Sequence, residues 1–244
     1  MENDAFKRNT TIYNYHARYL PAIITSIPAL VFLNLCRLHF ASDMNLNYLI
    51  FLPYIVQSGL SVAAFYMQIQ FNRVVSKEIF QRTIFKGEIN LPTTKALLWC
   101  DDYYDKTTKT MFHKKIKELY GISLPSITLE KKDKLDAQKK IIIAVSQIRN
   151  TLRGNAHVAQ HNREYGFIRN LIGGSLVAFI ISVINIMLST MMSNTTILSM
   201  SKIAAGVYLI VVLLSKPILV RFGQYYADSL FNQFLMFDAN TAKM

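Results

Sequence analysis

Three groups of side chains in this sequence have types and spacings that could do chemistry. Asp101-Asp102-x-x-Asp105 has the form of an acidic metal-diphosphate motif, and carboxylates so spaced can gather round a magnesium ion on one helical turn. No second acidic cluster completes a two-sided site, and Lys106 and Lys109 follow at once, so helix-start charges and local ion pairs account for it more simply. His157-x-x-x-His161 puts two imidazoles on one helical face with Glu164 three residues on, a spacing that could chelate zinc, but no His-Glu-x-x-His signature accompanies it. The third group is a basic line: Arg149, Arg153, His157 and His161 recur every four residues, and Arg163 and Arg169 follow. Guanidinium forks suit phosphate and imidazole adds a donor. The same line reads equally as a solvated basic face or as anchors beside anionic lipid headgroups. The sequence contains no phosphate-cradling Gly-rich loop, nucleophile elbow or kinase set, so no catalytic residue, metal site or cofactor is expected and the chain is not read as an enzyme.

The elements that must position these residues are set by where charge is absent. No Asp, Glu, Lys or Arg occurs over the 29 positions Met44–Asn72, the 32 positions Asn170–Ser201 or the 18 positions Tyr19–Cys36. A bilayer core requires about 20 apolar residues as helix. A fourth apolar run, from about Met200 to Val220, has Lys202 and Lys216 near its two ends, placed to reach opposite interfaces. Between the two pairs, residues 71–165 hold 18 Lys/Arg against 10 Asp/Glu, a net charge of +8. The positive-inside rule puts that segment and both termini in the cytoplasm, with Arg37 alone arguing the other way. The fold expected is an all-α membrane protein with two transmembrane helical hairpins flanking a basic helical cytoplasmic domain. Its boundaries are 1–70 for the N-terminal segment and first two spans, 71–165 for the basic domain, 166–221 for the last two spans and 222–244 for a cytoplasmic tail.

Within this frame the pattern from about Leu135 to Tyr165 reads as one long helix. Ile141, Val145, Ile148 and Leu152 form a heptad-like stripe that either packs inside the subunit or serves as a self-association seam in a homo-oligomer. Gln57, Ser61, Gln68 and Asn72 share a face of the second span, and Asn185 lies in the third. Polar groups in hydrocarbon must face protein or water, so Gln57, Ser61, Gln68 and Asn185 either line a pore or bond helix to helix. Pro21, Pro28 and Pro53 could kink their helices, and Gly173-Gly174 could loosen the third.

The stretch Leu98-Trp99-Cys100-Asp101-Asp102, Thr108-Lys109, Phe112-His113 and Leu124-Pro125-Ser126, ending in His161-Asn162-Arg163-Glu164-Tyr165-Gly166-Phe167-Ile168-Arg169-Asn170-Leu171, resembles bacterial inner-membrane proteins of the antiphage-defence class. The organisation is similar to membrane effectors of the Hailong type, which are paired with nucleotidyltransferases. The resemblance implies a multi-pass effector that disrupts the inner-membrane potential when a nucleotide or oligonucleotide signal changes. It carries no ligand-contact residue across. The partners implied are further copies of the chain, an anionic nucleotide or oligonucleotide, membrane lipid and a nucleotidyltransferase. The competing expectation is a non-conducting membrane scaffold that recruits a cytoplasmic partner through its basic domain.

Overall fold

The computed structural model describes residues 10–40 and 52–237, with side chains over 10–36 and 62–237. All secondary structure among them is helical. In chain order the α-helices are α1 (Leu20–Phe40), α2 (Leu52–Val75), α3 (Arg82–Phe85), α4 (Pro92–Lys95), α5 (Lys106–Tyr120), α6 (Ile127–Lys132), α7 (Lys134–Thr151), α8 (Ala156–Met191), α9 (Thr195–Leu213) and α10 (Ser215–Met236), with π-helical turns at Tyr15–Tyr19 and Ser76–Gln81. The chain forms two compact units. One, the charged unit, takes Gln81–Tyr165 with the described part of Pro217–Met244, and the other, the apolar unit, takes Asn14–Phe80 with Gly166–Lys216.

The charged unit is built from short helices with local stop and start signals. Asp105 accepts from the Thr108 amide at 2.9 Å and caps α5, which ends at Gly121 in the left-handed region (φ 68°), a conformation that costs glycine little. Ser126 and Asp133 cap α6 and α7 in the same way. These helices close over one hydrophobic core containing Leu97, Leu98, Phe112, Ile116, Ile141, Val145 and Ile148. The stripe Ile141, Val145, Ile148 and Leu152 is thus spent inside the subunit, each residue no more than 4% exposed. It offers no surface to a second copy.

Two sequence expectations change here. The helix expected from Leu135 to Tyr165 is two helices, because α7 ends at Thr151 and α8 restarts at Ala156. Asn155, beyond Gly154, supplies the new cap by accepting from the Val158 amide at 3.1 Å. The segment 222–244 is not simply a tail. Its α10 portion puts Ala227, Leu230, Phe231 and Phe234, all fully buried, into the core of the charged unit.

Among the described residues three helices are long and apolar enough to cross a membrane: Thr10–Cys36, Ala156–Met191 and Thr195–Leu213. The last starts earlier than the expected Met200–Val220 run, since Asn194 caps it through the Ile197 amide at 3.0 Å, and Lys216 falls in α10 instead. These helices expose large apolar side chains, among them Ile27, Leu30, Leu33, Ile203 and Leu213, which suits a hydrocarbon surround. The connection between the first two helices, with Asp43, lies outside the described residues, as do the side chains of Arg37, Gln57 and Ser61.

Inside the apolar unit several polar groups are paired between helices. Proline has no N–H to offer the carbonyl four residues earlier, so Pro21 and Pro28 release the carbonyls of Ala17 and Ile24. Both are taken from other helices: Asn170 Nδ2 donates to Ala17 O at 2.6 Å, and Tyr208 Oη to Ile24 O at 2.6 Å. Asn72 Nδ2 donates to Thr25 Oγ1 at 2.8 Å, and Gln68 Nε2 to the same oxygen at 3.4 Å. Asn185 Nδ2 donates to Pro28 O at 2.8 Å. Gly173 and Gly174 do not loosen α8. They are where it closes on α2 and α1: a Cβ at Gly173 would overlap the Asn72 carbonyl and lie 2.7 Å from Ser76 Cβ, and one at Gly174 would lie 2.7 Å from Thr25 Oγ1.

The proline pairing makes a quantitative expectation. Tyr208→Phe leaves the Ile24 carbonyl without its donor in an apolar surround and should cost about 1–3 kcal/mol. In a Pro28→Ala background the backbone N–H returns, and the same substitution should cost clearly less. Unfolding of the four proteins in mixed micelles measures the coupling. Equal costs in both backgrounds would show that the hydroxyl does not serve the freed carbonyl.

Candidate functional site

The site with the most concentrated chemistry lies in the charged unit, where the start of α8 meets α10. Asn155 fixes this junction twice: its Oδ1 caps α8, and its Nδ2 donates to Gln233 Oε1 on α10 at 2.8 Å. One turn into α8, His157 and His161 form one wall of an open cleft of about 300 Å³. Tyr225, Asp228, Ser229, Asn232 and Gln233, at helical spacings along α10, form the other.

The carboxylate at the cleft is held by phenols. Tyr103 Oη donates to Asp228 Oδ2 and Tyr104 Oη to Oδ1, each at 2.8 Å, and Gln224 Nε2 adds a third bond at 3.2 Å. The hydrogen bond to Asp228 raises the Tyr103 pKa, and burial, helped by Asp228, raises that of Tyr104. Both phenols therefore stay protonated and donating across the physiological range. His161 Nδ1 pairs with Glu164 Oε2 at 3.0 Å. The cleft thus presents imidazole, amide, hydroxyl and aromatic groups, with its one carboxylate already occupied: an arrangement able to bind a polar, ring-containing ligand.

The basic line is not carried by one helix, because the break at residues 152–155 leaves Arg149 on α7, Arg153 in the turn and His157 and His161 on α8. Arg149, near the end of α7, donates from Nη2 to Thr93 Oγ1 at 3.2 Å and stacks over the Tyr226 ring at 5.9 Å, with its buried Nε lacking a hydrogen-bond partner. Arg153 is exposed in the turn, and Arg163 is half-buried on α8. Arg169 belongs to the apolar unit. Gln68 and Asn185, the described members of the proposed pore set, are engaged in the helix-to-helix bonds given above.

The acidic triplet is architectural. Asp105 is the α5 cap, and its bonds from the Thr108 hydroxyl and amide lower its carboxyl pKa. The Asp101 side chain accepts from the Tyr103 amide at 3.1 Å, and its carbonyl is bonded by the buried Lys109 ammonium. Among the described residues no three His, Cys, Asp or Glu side chains are grouped to hold a metal ion.

No protein-family model, curated protein or solved structure matches this chain.

Several residues that carry the resemblance converge instead on a second cluster, organised by Glu130. Its carboxylate, 4% exposed, accepts from the amides of Trp99 and Cys100, both at 2.8 Å. The Trp99 indole donates to Pro125 O at 2.9 Å and packs against His113 at 4.6 Å between ring centroids. His113 Nε2 must carry the proton here, since its neighbour at 2.9 Å is the Leu97 carbonyl. Nothing in the spacing of Glu130 from Trp99 marks it as a clamp, and the α10 wall of the cleft was equally hidden. The only local signal for that wall is the recurrence of Phe222, Tyr226, Leu230 and Phe234 every four residues.

Burial holds the His113 pKa below its ordinary 6.5, against the opposing effect of its bond to Leu97. The neutral ring belongs to the folded state, and the unfolded chain takes up the proton first. Stability from this group is therefore complete above about pH 6.5 and declines as pH falls through the interval between the unfolded and the lower folded pKa. Trp99 is the sole tryptophan and reports on the cluster. Its fluorescence-monitored unfolding should shift to lower denaturant on acidification, and His113→Gln should remove the part of that shift nearest pH 6. An unchanged pH profile in the variant would refute the assignment.

Proposed function

We propose that this chain is a bacterial inner-membrane effector, acting as a homo-oligomer, that disrupts the membrane potential in answer to an anionic nucleotide or oligonucleotide made by a partner nucleotidyltransferase in antiphage defence. The charged unit and the termini face the cytoplasm and the helices pair as two hairpins, a topology supported by the +8 charge of residues 71–165. The observation that carries this reading is α8. It starts at the cleft with His157 and His161 and runs without interruption for 36 residues to Met191, through its apolar stretch. A ligand drawn against those imidazoles acts on the helix that crosses the bilayer. The excess of Lys and Arg over residues 71–165 favours a polyanion. Any contact between copies uses surfaces other than the Ile141–Leu152 stripe.

The test is ion flux from liposomes holding the purified protein, with and without nucleoside triphosphates and short oligonucleotides. Flux should depend on one of these ligands. Arg153→Ala with His157→Ala should weaken binding of that ligand at least about tenfold, and less so at high salt. Unchanged affinity would remove the cleft from the site. A second reading, a non-conducting scaffold, is favoured by the engagement of Gln68, Asn72 and Asn185 in helix-to-helix bonds. Absence of flux with every ligand, in protein shown to be folded and inserted, selects it.

A further inference from the structure

We infer that the outward face of Ile127–Ile143 in the charged unit docks on an anionic bilayer surface. The segment holds three carboxylates and five lysines, and the fold treats the two signs differently. Each carboxylate is already committed: Glu130 to the Trp99 and Cys100 amides, Asp133 to the Asp136 amide at 3.0 Å as the α7 cap, and Asp136 to Lys140 at 2.9 Å. Four of the five lysines are not. Lys131, Lys132, Lys134 and Lys139 are exposed, and among the described residues none has an acidic partner. With Glu130 buried, the surface of the segment carries five lysines against Asp133 and Asp136, a net of +3 where the whole segment counts +2.

Interleaved with these ammonium groups are large apolar side chains that the core does not use. Leu129 is 58% exposed and Ile143 57%, with Leu135 and Ile127 also exposed. On α7, Leu135, Lys139 and Ile143 recur every four residues on the side opposite the buried Ala137, Ile141, Ala144 and Ile148. Exposed leucine and isoleucine set among lysines is a costly surface in water. It suits the boundary between headgroups and acyl chains, where lysine stems lie along apolar surface and their ammonium groups meet anionic phosphate. A protein partner of complementary charge would need an acidic surface, whereas a chain with three helices able to cross a membrane always has a bilayer at hand. The occupant is the lipid surface, and docking depends on anionic headgroups.

The test uses the full chain in lipid nanodiscs, with Cys36→Ala and Cys100→Ser and a bimane probe on Ile143→Cys. In discs of phosphatidylcholine with phosphatidylglycerol, acyl-chain spin-labelled lipid should quench the probe while iodide does not reach it. In phosphatidylcholine alone, or at high salt, lipid quenching should be lost and iodide access gained. Lys131, Lys132, Lys134 and Lys139 all changed to Gln should reproduce that loss in the anionic discs. Exposed lysines carry no packing, and an unaltered trypsin-resistant core would verify the fold of this variant. A probe open to iodide in both disc types overturns the proposal, as does lipid quenching indifferent to headgroup charge and to the lysines. A probe shielded from both quenchers also overturns it, in favour of a protein covering the patch.

Discussion

Gly173→Val should cripple the apolar unit, while Gly206→Val should leave it nearly unchanged. Both glycines lie in helices that can cross a membrane, and sequence gives no reason to rank them. At Gly173 an added Cβ would overlap the Asn72 backbone carbonyl and sit 2.7 Å from both Ser76 Cβ and its amide nitrogen, and two of these three are backbone atoms with no rotamer to retreat into. At Gly206 nothing stands within 4 Å. Overpacking a tight site costs about 1–3 kcal/mol when neighbours can shift. Here α8 must move off α2 and the turn that follows it, which also breaks the Ser76–Asn170 hydrogen bond at 3.3 Å. The cost should reach the top of that range or exceed it, against no more than about 0.5 kcal/mol at Gly206. Steric-trapping or micellar unfolding measures both. Equal stability of the two variants would show that the close approach at Gly173 is not used.

Phe231→Ala is expected to cost about 3–5 kcal/mol, a large share of the stability of a unit this size. The ring is fully buried, 5.1 Å from that of Phe112 and 6.3 Å from that of Tyr104. Its loss opens a cavity where α5 and α10 meet, beside the tyrosines that hold Asp228. Ending the chain after Arg221 should do more, because it removes Ala227, Leu230, Phe231 and Phe234 together with the Asn155–Gln233 tie. Trypsin should then cleave at Lys109, which is 2% exposed in the intact fold. A truncated protein with an intact protease-resistant core would show that α10 is dispensable.

That last expectation runs against the sequence reading, which took residues 222–244 as a tail, and the reason is physical. The apolar helices announce themselves locally, since a bilayer requires a long uncharged run and such runs are visible at a glance. The core of the charged unit is made by contacts between residues more than a hundred positions apart, such as Phe112 with Phe231. A four-residue recurrence shows that α10 has a face, not what that face meets. The same limit applies to the cleft. His157 and His161 were legible as a pair on one helix, but Asp228, Ser229 and Asn232 stand opposite them only because Asn155 joins the two helices. The basic line is divided for a local cause: Gly154 and Asn155, a readable stop and start, lie between Arg153 and His157. In the sequence Glu130 is one charge among many, whereas its burial takes a negative charge off a surface rich in lysine.

The carbonyls released by Pro21 and Pro28 bind positions far apart in the chain into shared fates. A proline at 28 creates a demand that Tyr208 meets, and one at 21 creates a demand that Asn170 meets. In a lineage descended from this sequence, a change of Tyr208 to phenylalanine would be tolerated best after residue 28 had regained its N–H. Replacement of Pro28 would in turn release position 208 to drift toward any side chain that fits. Positions 28 and 208, and likewise 21 and 170, should therefore be exchanged in pairs and in a preferred order, with the proline lost first.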